Sequence, residues 1–469
     1  MAASPDVDVT IAESLTVEPE SVARPAGWGH HPPAGQGESA GGTTRPKGRG
    51  TTGESPSRAR MIVVLGTMVA LGPLTIDMYL PALPKIADEL SVSSSVAQLT
   101  LTGTLAGLAL GQLIIGPLSD SLGRRRPLMA GIVLHMLASL LCLFAPNIAV
   151  LGVARGLQGM GAAAAMVVAI AVVGDLFAES VAATVLSRLM LVLGVAPVLA
   201  PSLGAAVLLK ASWHWVFAAL VVLAGALLLL AALALPETLP VSHRRPLKVR
   251  SIAATYLELL RDARFIILVL VGALGMSALF AYIAGASFVL QGRYGLDQQT
   301  FALVFGAGAV ALIGATQFNV VLLRRFSPQT IVLWALVAAS LAGAIFVGFS
   351  VGHIGGVLGF VLPVFAILTP MGLVIPNAPA VALSRHPDAA GTAAALLGAA
   401  QFGLGAAVAP LVGVLGNDAF ALSVVMTAGM VIALFALSPT LRGGYPQAVG
   451  VPATETGHDV IGDAVAEPA

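Results

Sequence analysis

Asp77 and Arg155 carry the chain's most suggestive chemistry, because each stands inside an apolar run, Asp77 in TIDMYLPALP (75–84) and Arg155 in LGVARGLQGMGAA (151–163). An ionisable side chain within a hydrocarbon-spanning helix costs about 2.5–3.5 kcal/mol on insertion scales, so it should face a cavity or a partner. A carboxylate beside a guanidinium can exchange a proton when its hydration changes, since desolvation and the cation pull its proton affinity in opposite directions. Two blander roles compete: Arg155 snorkelling to the headgroups, and a permanent ion pair that only fixes packing. The other acids near apolar runs, Asp120, Asp175 and Glu237, fall at run ends, and His135 is the one histidine within a run. The expectation is that no histidine competes with Asp77 for a proton.

The elements that would hold these residues follow from composition. The 469 residues are 57% hydrophobic and 10% charged, against roughly 25% charged in soluble domains. That excludes a water-soluble fold. Apolar runs long enough to cross a bilayer, which takes about 20 residues, fall near 61–83, 96–118, 127–145, 148–173, 184–209 and 215–236. A second set falls near 265–290, 300–323, 329–350, 354–383, 390–415 and 418–438. Strand-length alternation of the kind a membrane barrel needs is absent, so the fold class is all-α integral membrane with twelve transmembrane helices.

The expected organisation is a disordered tail (1–59), a six-helix half (60–239), a polar linker (240–264), a second six-helix half (265–440) and a second tail (441–469). Arg58, Arg60, Arg124–Arg126, Arg188, Arg244, Arg245, Lys248, Arg250, Arg324, Arg325, Arg385 and Arg442 fall on one side, against Lys85, Lys210 and Arg293 on the other. The positive-inside rule then makes both termini and the linker cytoplasmic. A net charge of +1 offers no field for nucleic acid, and the single cysteine, Cys142, excludes an intrachain disulfide or a cysteine-rich metal site.

Depth along the helices suggests a pairing. Counted from Met61, Asp77 lies about 24 Å along the first span, and counted from Ile148 on the opposite surface, Arg155 lies about 10 Å down the fourth. The two depths agree, so the pair should meet across the first half.

Three further motifs are distinctive. GPLSDSLGRRRPL (116–128) follows the second span: Gly116 would permit close helix approach, Asp120 supplies a carboxylate, Gly123 a tight turn, and Arg124 to Arg126 face the headgroups. The fourth span carries L-x-x-x-R-x-x-Q-G-x-G around Arg155. In the fifth, LGVAPVLAPSLGAA (193–206), Pro197 and Pro201 each remove a helix hydrogen bond while Gly204 allows close packing. Together these resemble the loop, proton-transfer and antiporter signatures of the major facilitator superfamily. GQLIIGPLSD (111–120), SWHWVF (212–217), LPETLP (235–240), IPNAPAVAL (375–383) and GTAAALLGAAQ (391–401), with TIDMYLPALP, look like its Bcr/CflA drug-resistance subfamily.

That resemblance implies a twelve-span drug:proton antiporter of two pseudo-symmetric halves in a bacterial cytoplasmic membrane. It implies a latch around Gly116, Asp120, Gly123 and Arg124 that joins the halves on the cytoplasmic side, with Asp175 or Arg124 as the partner of Asp120. Asp77 and Arg155 would couple protons, and Tyr79, Gln112, Phe280 and Tyr282 would contact the substrate. No Walker A lysine, catalytic triad or metal cluster is legible, so an enzyme, a metal and a cofactor other than the coupling proton are not expected. The expected partners are a small amphipathic substrate, protons and lipid, with the protein a monomer. Alternatives are a dedicated exporter of one metabolite or antibiotic, and a proton-coupled importer.

Overall fold

The computed structural model of the protein describes residues 58–442 apart from Ala178 and Arg245. Both expected tails, save Arg58 and Ala59 at one and Leu441 and Arg442 at the other, lie outside the described residues, as does Arg245. Among the described residues there is no strand, and twelve helical segments are long and apolar enough to cross a membrane.

The first segment is a broken one, α1 (Arg58–Asp77), a 3-10 turn Leu80–Ala82 and α2 (Leu83–Glu89). Its break follows from TIDMYLPALP: Pro81 and Pro84 have no N–H to return to the carbonyls of Asp77 and Leu80, so the α-helical ladder stops at Asp77. The remaining five segments of the first set are α3 (Ser94–Leu122), α4 (Arg125–Leu143), α5 (Ile148–Leu176), α6 (Glu179–Leu208) and α7 (His214–Ala234). The linker contains a helix of its own, α8 (Val249–Arg261). The second set is α9 (Ala263–Ser287, prolonged by a π-helical turn Phe288–Arg293), α10 (Gln298–Leu322), α11 (Pro328–Val351), α12 (Gly356–Leu383), α13 (Ala390–Val414) and α14 (Ala419–Arg442).

Lipid tails are as apolar as leucine, so helices in a bilayer associate through close packing and polar contacts rather than hydrophobic burial. The α3–α5 pair shows the limiting case. A Cβ on Gly107 would strike the main chain of Gly156, and one on Gly159 would strike that of Thr104, so the two backbones touch directly. Gly116 differs from this pattern and corrects the expectation attached to it: a Cβ there meets nothing, because the residue faces a cavity instead of a neighbouring helix.

The two sets of spans meet through polar bonds on the side opposite the linker. Gln98 donates to the Ala284 carbonyl (3.1 Å) and to Asn417 Oδ1 (2.8 Å), while the Ser287 hydroxyl donates to the Leu80 carbonyl at 2.7 Å. On the linker side a cavity of about 750 Å³ separates them, lined by Gln112, Asp120 and Arg124 from one set, Thr255 and Tyr256 from α8, and Asp388 to Thr392, Ala394 and Ala395 before and within α13.

Candidate functional site

Arg155 is fully buried and Asp77 is 2% exposed. Both belong to one polar cluster between α1, α4 and α5. Arg155 Nη1 donates to the Thr75 carbonyl (2.9 Å) and to Gln158 Oε1 (2.5 Å). Its guanidinium carbon lies 3.9 Å from the centre of the Tyr79 ring, and the Phe217 ring lies on a second side at 5.8 Å. A cation stacked on an aromatic face in a desolvated site gains about 2 kcal/mol or more. The guanidinium also serves the end of α1, where the helix break leaves carbonyls without main-chain donors.

The ion pair expected from the two depths does not form. Asp77 Oδ1 and the Nε and Nη2 of Arg155 are all buried without a hydrogen-bond partner. Each charge nevertheless acts electrostatically on the other. A buried charge with no counter-charge is costly by several kcal/mol. Height along a helix axis predicted proximity correctly in kind; it carries no information on which way the side chains turn.

His135, the one histidine within an apolar run, has a structural place in this site. It is fully buried and belongs to the same cluster. The Thr75 hydroxyl donates to the Leu71 carbonyl (2.6 Å), so it must accept from His135 Nε2 at 2.8 Å. The Ser139 hydroxyl donates to the His135 carbonyl (2.7 Å) and accepts from Gln158 Nε2 (2.8 Å). These constraints place a proton on Nε2 and close a ring: Arg155, Thr75, His135, Ser139, Gln158 and back to Arg155. The sequence signal for it was the i, i+4 spacing of His135 and Ser139 in an otherwise apolar helix, matched by Arg155 and Gln158 at i, i+3 in α5.

The expected substrate contacts divide. Gln112 lines the cavity. Tyr79 is instead the platform beneath Arg155, its hydroxyl 3.4 Å from that of Thr100. Phe280 packs on Phe402 with centroids 5.7 Å apart, and Tyr282 stacks on Phe305 at 5.2 Å; both are buried away from the cavity lining.

At the linker side, Arg124 resolves the open choice of partner by bonding both acids. It reaches Asp120 at 2.5 Å and Asp175 at 2.8 Å. Partial burial opposes its charge, but the hydrogen bonds it donates to Asp175 and Asp120 hold the guanidinium above its ordinary range. Gly123 adopts φ +90°, and a Cβ there would collide with the Glu237 carboxylate, which accepts the Arg124 N–H at 2.8 Å. All of these groups lie in the first set of spans or the chain just after it. With the cavity open, they brace one half internally, and Asp120 and Arg124 border that cavity.

Pro197 and Pro201 lie within a continuous α6, and Gly204 packs so closely on the helix break that a Cβ would overlap the Met78 carbonyl. At the other end of the linker, Asp262 caps α9 by accepting from the N–H groups of Arg264 (2.9 Å) and Phe265 (3.2 Å). It also accepts from Arg385 and His386, each at 3.0 Å. Burial works to raise the Asp262 carboxyl, but the Phe265 N–H, Arg385 and His386 together hold it below the usual carboxylate range.

Comparison with known proteins agrees with this architecture. A family model described as the Major Facilitator Superfamily matches residues 65–410. An uncharacterized MFS-type transporter, YdgK of Bacillus subtilis (strain 168), is 38% identical over 381 residues, covering 80% of this chain and 94% of the relative. A bicyclomycin resistance protein homolog of Haemophilus influenzae is 31% identical over 360 residues, covering 76% and 89%. Among solved structures, a partially occluded inward-open form of the xylose transporter XylE from E. coli superposes with a TM-score of 0.65 at 13% identity, covering 83% of this chain and 99% of that one. That likeness concerns the fold alone.

Proposed function

The chain belongs to the Major Facilitator Superfamily, whose members are membrane transporters and not enzymes, and from that membership we propose that it exports small amphipathic drugs or toxic metabolites in exchange for protons. The named resistance relative supports drugs as the substrate class. The reading places the chain with the Bcr/CflA antiporters, in a bacterial cytoplasmic membrane, with the linker and both termini in the cytoplasm. The cavity between the two sets of spans would then receive substrate from the cytoplasm, and Gln112 on its wall would contact it.

One observation carries the coupling: a buried carboxylate oxygen and two buried guanidinium N–H positions stand unpartnered in one cluster. A proton can be taken up on Asp77 without breaking any bond to Oδ1. When Asp77 is charged, Nε and Nη2 of Arg155 are available to it; when it is neutral, Arg155 keeps only the Thr75 carbonyl and Gln158. Because Thr75 is two residues from Asp77 at the end of α1, a bond from Nε or Nη2 to Asp77 would add to the Nη1 bond on the same broken segment of the first span. Occupancy by a proton thereby biases the packing of α1 against α5 and α6, which is the two-state element that alternating access requires.

The test is efflux of a fluorescent drug from cells overexpressing the chain, with and without a protonophore. Energised efflux that survives the protonophore would reject proton exchange. Efflux no greater than in cells lacking the protein, across a panel of lipophilic drugs, would favour a dedicated exporter of one compound.

A further inference from the structure

Among the prolines of the helical segments, three stand four residues after a carbonyl that accepts from a side chain on another element. Pro376 frees Gly372, which accepts from the Thr316 hydroxyl at 2.8 Å. Pro84 frees Leu80 from its α-helical partner, and it accepts from Ser287 at 2.7 Å. Pro117, inside α3, frees Leu113, and there the donor is the hydroxyl of Tyr256 at 3.2 Å. At each of these a side-chain hydroxyl bonds a carbonyl that has lost its α-helical donor, although Leu80 also accepts the Leu83 N–H.

The third differs from the others because its donor comes from the linker. Tyr256 and Thr255 form part of the cavity wall beside Gln112 and Pro117. A tyrosine phenol is a donor at neutral pH, and burial lifts that of Tyr256 further. Beyond its C-terminus the same helix is held by Asp262 to Arg385 and His386, which follow α12. The linker helix is thus fixed to the first set of spans at its middle and to the second set at its end.

We propose that α8 is a strap across the cavity, and that Tyr256 is the positioning residue that seats it there by occupying the Leu113 carbonyl that Pro117 leaves free. The inference goes beyond the export reading, and its test needs no substrate. Any rocking of one set of spans against the other must either carry this helix along or release it at one of its two ties, so the Tyr256 bond reports on and restrains that motion.

The experiment uses the full chain in lipid nanodiscs. Cys142 is buried, so Thr255→Cys supplies the reactive thiol, and its rate of modification by a polar maleimide reads how often α8 leaves the wall. Tyr256→Phe should raise that rate about fivefold, the equilibrium shift expected from one net hydrogen bond. Pro117→Ala restores a main-chain donor to Leu113 and should raise it by a similar factor. Adding Tyr256→Phe to Pro117→Ala should then change nothing, since both remove the same bond. An unchanged rate in Tyr256→Phe, or factors that multiply in the double variant, overturns the proposal. Should Tyr256→Phe not fold, Pro117→Ala alone decides, and an unchanged rate there overturns it equally.

Discussion

Arg155 donates to the main-chain carbonyl of Thr75 and leaves the carboxylate of Asp77, two residues further along the same helix end, without a hydrogen bond to Oδ1. The guanidinium therefore braces the break in the first span while keeping two N–H positions uncommitted. Both features are needed if one arginine is to serve as scaffold and as counter-charge in turn.

Asp77→Asn should abolish energised drug efflux and leave membrane insertion intact, because the amide keeps the shape of the carboxyl and cannot exchange a proton. Efflux and membrane abundance measured in the same cells check this. Undiminished efflux by the variant removes Asp77 from the coupling.

Arg155→Ala removes two hydrogen bonds from a charged donor and the contact with the Tyr79 ring, and should cost about 3–5 kcal/mol. In the double variant with Asp77→Asn the cost should fall short of the sum of the two single costs by about 0.5–3 kcal/mol. Thermal unfolding of the four purified proteins completes the cycle, and strict additivity would show that the two groups do not interact.

The backbone approach of α6 to the break can be probed at one atom. Gly204→Val must displace the Met78 carbonyl and should destabilise by about 1–3 kcal/mol, the range for overpacking a tight contact. A melting temperature equal to that of the parent would contradict the close approach.

Asp262 yields a prediction in pH. Its carboxyl is held below the usual range in the folded protein, so its contribution is fully present above the unfolded value near pH 4 and is lost as pH falls through the folded value. At neutral pH, Asp262→Asn should lower stability by about 1–2 kcal/mol. The gap between parent and variant should stay constant down to about pH 4 and close below it. Melting curves across that range test the sign; a gap that widens toward acid would refute it.

Much of this was legible in the residues. Twelve apolar runs gave twelve spans because bilayer thickness fixes the length each must reach. The motif around Gly123 and Arg124 marked a turn and a charge cluster where both are found. What stayed hidden depends on direction rather than position. Depth put Asp77 and Arg155 at one level but could not show the guanidinium turned to a carbonyl. Gly116 has the type of a packing residue, and only its azimuth shows that it faces a cavity. The bonding of His135 is not legible because its partners, Thr75 and Ser139, are hydroxyls that apolar helices carry for many reasons. The linker helix escaped notice because its apolar positions, Val249, Ile252, Tyr256 and Leu259, are diluted by Arg250, Glu258 and Arg261 within a segment read by its charge.

The glycine contacts between α3 and α5 have a mechanical consequence. Side chains at most helix interfaces form a compliant layer that can change rotamer and let one rod roll or slide on another. Where Gly107 meets Gly156 and Gly159 meets Thr104, main chain rests on main chain and that layer is missing. The second and fourth spans consequently behave as a single stiff beam, able to pass on a displacement and unable to absorb one. The bending that transport demands must then concentrate where a compliant layer remains, as where α6 meets α10 through Gly194 and the flexible side chain of Ile313.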